Sequence, residues 1–416
     1  MLSASVALLG LTRRVDIAIV GGGPCGLATA LAISKARCLQ GRSVEVFESD
    51  EFGPKGASLQ ISKPGWAALS AIDAEAADRI RRNGAPVTSV SLRSLGGASL
   101  TPAPVRAFMA VVGWLFRLLR RAGVQRGLTR AHLWHDVRDV LRERVVARGV
   151  VLRPSKTLVE LREGADAVQL RFGDGDEVEA AVVLACDGTR SACRQLLPSE
   201  PDDLLVDEEK SVWRGQARGL DTHGAATFYK DDEGRSGLVF PAGAGQGSSW
   251  TFISASVAGR SRSSDDARAR LAAALPRELD ETLRGAIDAS PSIIEGKLVT
   301  RDFSQPWASA APRVAFLGDA AHPLRPTGEG TALALEDAWT VGRLAASAAT
   351  AEAFCAPATL RAYEASRRER VRAVSDAVRA AANRFYDEGS VEGVSPATRT
   401  TVKGAFEAHP ILCTPL

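Results

Sequence analysis

Several signals are missing from this chain, and each absence excludes something. Six cysteines are scattered through 416 residues, with no Cys-x-x-Cys pair and no zinc spacing. That scatter argues against a disulfide framework and fits a reducing compartment, cytoplasmic or organellar. The formal net charge is +3, too small to mark a nucleic-acid binder. No apolar run reaches the ~20 residues of a membrane span. There is no Walker A loop, no Gly-x-Ser-x-Gly elbow, no internal repeat and no low-complexity tract. His132 and His135 form an i, i+3 pair with no third ligand near them. They read as helix surface, since a metal site needs three or four ligands, and no metal is expected. What remains is a chain 45% hydrophobic and 24% charged, long enough for two or three domains.

The clearest positive signal runs from Val15 to Glu48. Val15 to Val20 is apolar except for Asp16 and has the length of a strand. It leads into Gly21-Gly22-Gly23-Pro24-Cys25-Gly26, a helical stretch through Ile33, and a second apolar strand, Val44 to Phe47, that ends at Glu48. This is a strand-turn-helix-strand unit with Gly-x-Gly-x-x-Gly at Gly21, Gly23 and Gly26. Glu48 lies 22 residues past the last glycine (48 − 26), close to the ~20 of a ribose contact. Gly21 permits the tight turn, Gly23 lets backbone approach a pyrophosphate, and Gly26 packs helix on strand. The helix N-terminus offers free N–H groups and a positive dipole end to phosphate. The unit predicts dinucleotide binding.

Further along, helices are expected over 67–82, 128–146, 264–289, 331–349 and 358–385 from apolar spacing. Strands are expected over 150–152, 157–162, 167–172, 177–186 and 313–317, with a hairpin around Gly96-Gly97. Ser211 to Val257 holds four strand-like runs between Gly-rich turns, which suggests one antiparallel sheet. The Met1 to Arg14 stretch is apolar, free of acids and ends in Arg13-Arg14. It reads either as the end of a targeting segment or as a disordered leader.

Three predicted strand ends carry glycine beside a polar group: Gly21 to Gly26, Asp187-Gly188 and Gly318-Asp319. In an open α/β sheet, ligands lie at strand carboxyl ends. Asp319 can accept from a ribityl hydroxyl, with Gly318 allowing the approach. Gly328 and Gly330 open a helix whose N-terminus would favour negative charge. Arg130, placed on a helix, can reach a pyrophosphate as a charged donor. Asp187 and Arg190 can pair, and Asp187 or Ser191 can cap the helix that follows.

Taken together these residues resemble the single-component flavoprotein monooxygenases of the para-hydroxybenzoate hydroxylase type, in the salicylate hydroxylase and zeaxanthin epoxidase branch. The matching pieces are Gly21 to Leu27, Arg130 with Leu133, and Asp187-Gly188-Thr189-Arg190-Ser191 with Arg194. To these add Gly318-Asp319-Ala320-Ala321-His322-Pro323, Pro326, Gly328, Gly330, Glu336-Asp337-Ala338, and Tyr363-Glu364 with Arg367.

The resemblance implies an α/β fold. A Rossmann-type FAD-binding domain (15–82, 125–200 and 291–350) would combine with an antiparallel-sheet substrate domain (83–104 and 201–290) and C-terminal helices (351–416). It implies FAD held by Gly21, Gly23, Gly26, Glu48, Arg130, Asp187, Gly188, Gly318, Asp319, Pro326, Gly328 and Gly330. NADPH or NADH would visit as a transient reductant, with Arg190 on its approach. The implied reaction uses O2 to hydroxylate an aromatic ring or epoxidise an alkene through a flavin hydroperoxide. An FAD-dependent reductase or dehydrogenase of the same fold, and a non-enzymatic binding protein on this scaffold, are the alternatives. Trp213, Arg214, His223 and Tyr229 are the substrate-side candidates for a small aromatic or polyene, although strand alternation turns some of them away. No catalytic base is named.

The chain departs from the family pattern at several places. Gly328-Glu329-Gly330-Thr331-Ala332 stands for the usual Gly-Gln-Gly-Ala-Asn, and Lys63-Pro64-Gly65 for the usual Pro-Asn. Ser49 stands where a basic residue often follows the ribose acid. Residues 105–124 form an apolar and basic insertion. Within Pro104 to Gly127 five arginines and no acid accompany Trp114, Phe108 and Phe116, which suits either a lid helix or a peripheral membrane contact.

Overall fold

The computed structural model describes residues 13–53, 58–100, 103, 129–197, 205–257, 259, 261, 263–301, 307, 312–325 and 328–386, with side chains to 380. Its first sheet has seven strands. Arg13–Val20 lies between Val44–Phe47 and Glu177–Ala185, parallel to both. Val151–Arg153 and Val314–Phe316 extend the parallel part on either side. The antiparallel pair Val168–Phe172 and Leu158–Glu163 completes the sheet. Ile17, Ala18, Ile19, Val182, Val183 and Leu184 are fully buried, as expected where helices cover both faces of parallel strands.

The helix Pro24–Ile33 starts with proline in its first turn, where a missing N–H costs nothing. It buries Leu27, Leu31 and Ile33 against the sheet, each contributing about 1.5–3 kcal/mol. The helix Gly330–Ser347 packs beside it, and Pro357–Tyr386 crosses behind.

The second sheet has six strands in the order Ile293–Arg301, Leu205–Ala217, Ser248–Ala255, Ser236–Pro241, Ala225–Lys230, Ser89–Ser94. All its pairs are antiparallel except the last. Trp213, Tyr229, Trp250 and Phe252 on one face are sealed by Leu271 and Leu283 of the helices Ser264–Ala274 and Glu281–Asp288. A small third sheet is formed by Ser58–Gln60, Arg130–Leu133 and Ala85–Pro86.

Tertiary pairing changes several expectations. Arg130 to Leu133 is a strand, not the start of a helix, because its backbone pairs with two neighbours. The helix begins at Trp134. His132 is therefore buried rather than on a helix surface, and burial pushes its pKa down to about 4. The helix expected over 264–289 breaks before Pro276, which lacks a donor and clashes with the preceding turn. Ile293 to Arg301 joins the second sheet, so the chain returns to the first sheet later than residue 291. The turn expected at Gly96-Gly97 forms as a short antiparallel hairpin, with Ser94 N–H donating to the Ala98 carbonyl and Leu100 N–H to the Leu92 carbonyl around an Arg93–Ser99 bridge, while the long partner of Ser89–Ser94 is parallel. Arg13 and Arg14 belong to the first strand. Residues 1–12, the 105–124 insertion with the wider Pro104 to Gly127 segment, Pro326 and residues 387–416 lie outside the described residues. Among the described residues no helix is long and apolar enough to cross a membrane.

Candidate functional site

The first turn, at Gly21 to Gly26, is shaped by close backbone contacts. Gly21 has φ +105°, and a Cβ there would lie 2.4 Å from the Cys186 carbonyl oxygen. A Cβ on Gly26 would lie 2.0 Å from the Gly21 oxygen. Only glycine fits either position. Gly23 differs: its added Cβ would meet only the Trp134 ring, at 3.4 Å. The cradle is thus tight toward the sheet and open toward the cleft. The helix behind it begins with N–H groups at Cys25 and Gly26 that have no intrahelical acceptor.

Glu48 is buried at the end of Val44–Phe47. Gly22 N–H donates to its Oε2 at 2.6 Å, and Ser49 Oγ and Asp50 N–H donate to Oε1, each at 3.1 Å. The expected ribose acid is therefore also the anchor of the glycine turn. Arg138 holds the next loop. It is fully buried, donates to the carbonyls of Phe52 and Gly53, and lies between the Phe52 and Trp134 rings. Nothing in the sequence distinguished Arg138 from a surface residue of its helix. Arg130 is half-buried and donates to the Gly84 carbonyl at 2.7 Å.

At the second strand end Asp187 accepts from Cys193 N–H at 2.9 Å, and Ser191 Oγ accepts from Arg194 N–H at 3.0 Å. Both cap the short helix Ala192–Leu196. Asp187 does not pair with Arg190, whose side chain is exposed. The other Asp187 oxygen, Oδ1, is buried without a partner. Arg194 donates to the carbonyls of Ala320 and Thr189, each at 2.6 Å. That ties the second strand end to the third.

At the third strand end Gly318 has φ +59°, and a Cβ there would lie 2.9 Å from Cys25 Sγ. Its N–H donates to Asp337 Oδ2 at 2.8 Å. The same oxygen meets His322 Nε2 at 2.6 Å, and Arg367 Nε donates to Asp337 Oδ1 at 2.6 Å. His322 and Asp337 are fully buried. Burial alone would raise the Asp337 pKa, but His322 and Arg367 hold it down at about 2. This network makes the C-terminal helix a brace for the Gly318 turn. Tyr363 adds a hydrogen bond to the Phe316 carbonyl at 3.1 Å.

Asp319 follows, open to water but deep between protein walls. Burial raises its pKa, and Thr189 Oγ1 donates to Oδ2 at 3.3 Å. A Cβ on Gly330 would lie 3.4 Å from Asp319 Oδ1, so the third strand end faces the N-terminus of Gly330–Ser347. Gly328 has φ +99° and open space on its free side. The glycines with room beside them, the orphaned Asp187 oxygen and the free helix N-termini fit a dinucleotide with a ribityl arm.

The four substrate-side candidates separate. Trp213 and Tyr229 are fully buried on the helix-covered face of the second sheet. Tyr229 OH donates to Asp280 Oδ1 at 2.8 Å. His223 sits in an exposed turn beside Asp221. These three are corrected to structural or surface positions. Arg214 alone points from the opposite face toward the cleft. Burial pulls its guanidinium pKa below the ordinary value, and the nearby Asp319 carboxylate opposes that. Its register neighbours across the sheet are Thr251, Leu238 and Phe228, all half-buried. Among the described residues there is no cluster of His, Cys, Asp or Glu fit to hold a metal, and five cysteines are free thiols.

The family described as FAD binding domain matches residues 117–378. Aurachin C monooxygenase/isomerase of Stigmatella aurantiaca is 26% identical over 368 residues, 86% of this chain and 86% of that protein. 3-Amino-4-hydroxybenzoate 2-monooxygenase of Streptomyces cremeus is 27% identical over 341 residues, 79% of this chain and 78% of that one. Among solved structures, Klebsiella pneumoniae HpxO complexed with FAD and uric acid superposes with a TM-score of 0.67 at 21% identity. That alignment covers 94% of this chain and 93% of the other, and it speaks to the fold.

Proposed function

Since the chain belongs to the FAD-binding-domain family and is an FAD-dependent monooxygenase using a nicotinamide donor and O2, we propose that its substrate is a planar aromatic bearing an acidic group held by Arg214. When bound, FAD supplies the redox chemistry, accepting a hydride and activating O2 for transfer of one oxygen atom to a ring or alkene. The protein supplies binding, orientation and a dry cleft.

The free N–H groups at Cys25 and Gly26 receive the pyrophosphate, where the helix dipole favours negative charge. Glu48 accepts from the adenosine ribose, and Asp319 from the ribityl chain. Arg130 stands near as a charged donor. The unpartnered Asp187 Oδ1 is left to accept from the cofactor. The N-terminus of Gly330–Ser347 favours the negative charge that reduction places on the ring. Exposed Arg190 offers a guanidinium to the visiting nicotinamide donor.

Arg214 carries the substrate reading. Among the described residues no group accepts a hydrogen bond from this half-buried side chain, although Asp319 places a negative charge nearby. A charge held that way is costly unless a partner arrives. A substrate carboxylate or phenolate supplies that partner in a planar, two-point geometry. Phe228 and Leu238, on the same face, give the ring an apolar wall and help exclude water.

The test is substrate-stimulated NAD(P)H oxidation with coupled O2 uptake, using aromatic acids, neutral N-heteroaromatics and polyenes. An aromatic acid is expected to stimulate turnover and emerge oxygenated. Stimulation by neutral polyenes alone overturns the proposal.

A further inference from the structure

Two of the places where the sequence departs from the family pattern, Lys63-Pro64-Gly65 and Gly328 to Ala332, meet in space. Ser62 Oγ donates to Glu329 Oε2 at 2.8 Å. Three residues on, a Cβ at Gly65 would lie 2.7 Å from the Ala332 Cα and 2.9 Å from its Cβ. A longer side chain at 332 would run into the backbone at Gly65, so the exchange at one site suits the exchange at the other. The N-termini of Lys63–Ile72 and Gly330–Ser347 are thereby pressed together with the Glu329 carboxyl between them. Glu329 directly precedes the helix whose first residue, Gly330, faces Asp319.

The charged surroundings of Glu329 are mixed. Glu336 lies on its own helix and Arg370 on Pro357–Tyr386. From Lys63–Ile72 the facing group is the neutral Ser62 hydroxyl, and Lys63 is exposed. Burial pushes the Glu329 carboxyl above its ordinary value; Ser62 acts against that, Glu336 adds to it, and Arg370 opposes it.

We propose that Glu329 is a titrating group of the cofactor pocket, and that its ionisation makes reduction of the bound flavin less favourable. As a neutral acid it leaves the helix N-terminus free to stabilise negative charge on the reduced ring. On losing its proton to solvent, it places a fixed negative charge at the same helix end and opposes the charge that reduction brings. An amide at this position cannot switch in that way. The inference rests on the FAD reading and is independent of the substrate class.

The test measures the flavin midpoint potential of FAD-loaded wild type, Glu329→Gln and Ser62→Ala across the range from acid to alkaline pH. Wild type is expected to match Glu329→Gln at low pH and to fall below it as pH rises. The gap should reach about tenfold in the reduction equilibrium, ~30 mV for a two-electron couple. Ser62→Ala should move the break to higher pH, because it removes a hydrogen bond that stabilises the carboxylate. A purely structural role would leave that break in place. Superposable profiles for wild type and Glu329→Gln, or an unmoved break in Ser62→Ala, overturn the proposal. Absorbance at the flavin band checks occupancy first, and a colourless wild type would overturn the cofactor reading instead.

Discussion

The two faces of the six-stranded sheet are made by the same strands and differ in what covers them. On the helix-covered face the polar tips of Tyr229 and Trp250 are satisfied, while Trp213 Nε1 is buried without a partner. Tyr229 reaches Asp280, and Trp250 Nε1 donates to Ser290 Oγ at 2.7 Å. On the cleft face Arg214 stands without an acceptor among the described residues. Arg214 differs from these groups in carrying a charge, which a ligand of opposite sign can complete. One residue along the strand separates Trp213 from Arg214, and on the proposed reading that step divides stability from function.

Substitutions on either side of that step should separate the two roles, beginning with the largest effect. Trp213→Ala empties a fully buried site and should cost about 3–5 kcal/mol, read as a lower denaturant midpoint. Arg214→Leu should do the reverse. It should lower kcat/KM for an acidic substrate by roughly 10–150-fold, the scale of a lost hydrogen bond to a charged group of about 1.5–3 kcal/mol. The unfolding midpoint should hold or rise, since an unpartnered charge has gone. A large stability loss in Arg214→Leu would break the comparison.

Tyr229→Phe should cost about 1 kcal/mol and leave catalysis unchanged. Burial raises the Asp280 pKa, but hydrogen bonds from Tyr229 and Arg93 outweigh it and leave it below the ordinary value. The stability it contributes is therefore present above the ordinary carboxylate range and is lost as pH falls through the lowered folded pKa. The penalty of Tyr229→Phe should accordingly shrink in acid, which urea midpoints at two pH values will show. The smallest effect belongs to His223→Ala, within about 0.5 kcal/mol and without kinetic consequence.

The first sheet was far more legible in the sequence than the second. Gly21 and Gly26 sit where backbone approaches backbone, and Gly318 where φ is +59° and the Cys25 side chain crowds it, so the chemistry is written in the residue. The four runs between Ser211 and Val257 announced strands, but not which face met the cleft. Alternation fixes that Trp213 and Arg214 point oppositely, yet leaves open which side the helices will cover. The strand Arg130–Leu133 was missed because its partners are distant in sequence. The Ser62–Glu329 and Gly65–Ala332 contacts were visible only as two separate departures. Arg138 gave no signal at all, since its burial depends on a loop closing over it.

The central claim is that the cleft face of the second sheet holds an acidic ring through Arg214. It is tested most directly by titrating the FAD-loaded protein with an aromatic carboxylate and with the matching neutral amide, following the flavin difference spectrum. The acid should perturb the flavin and saturate, the amide should bind at least tenfold more weakly, in line with ~1.4 kcal/mol per decade, and Arg214→Leu should erase the difference. Equal affinity for acid and amide, or a preference that survives in Arg214→Leu, would contradict the account.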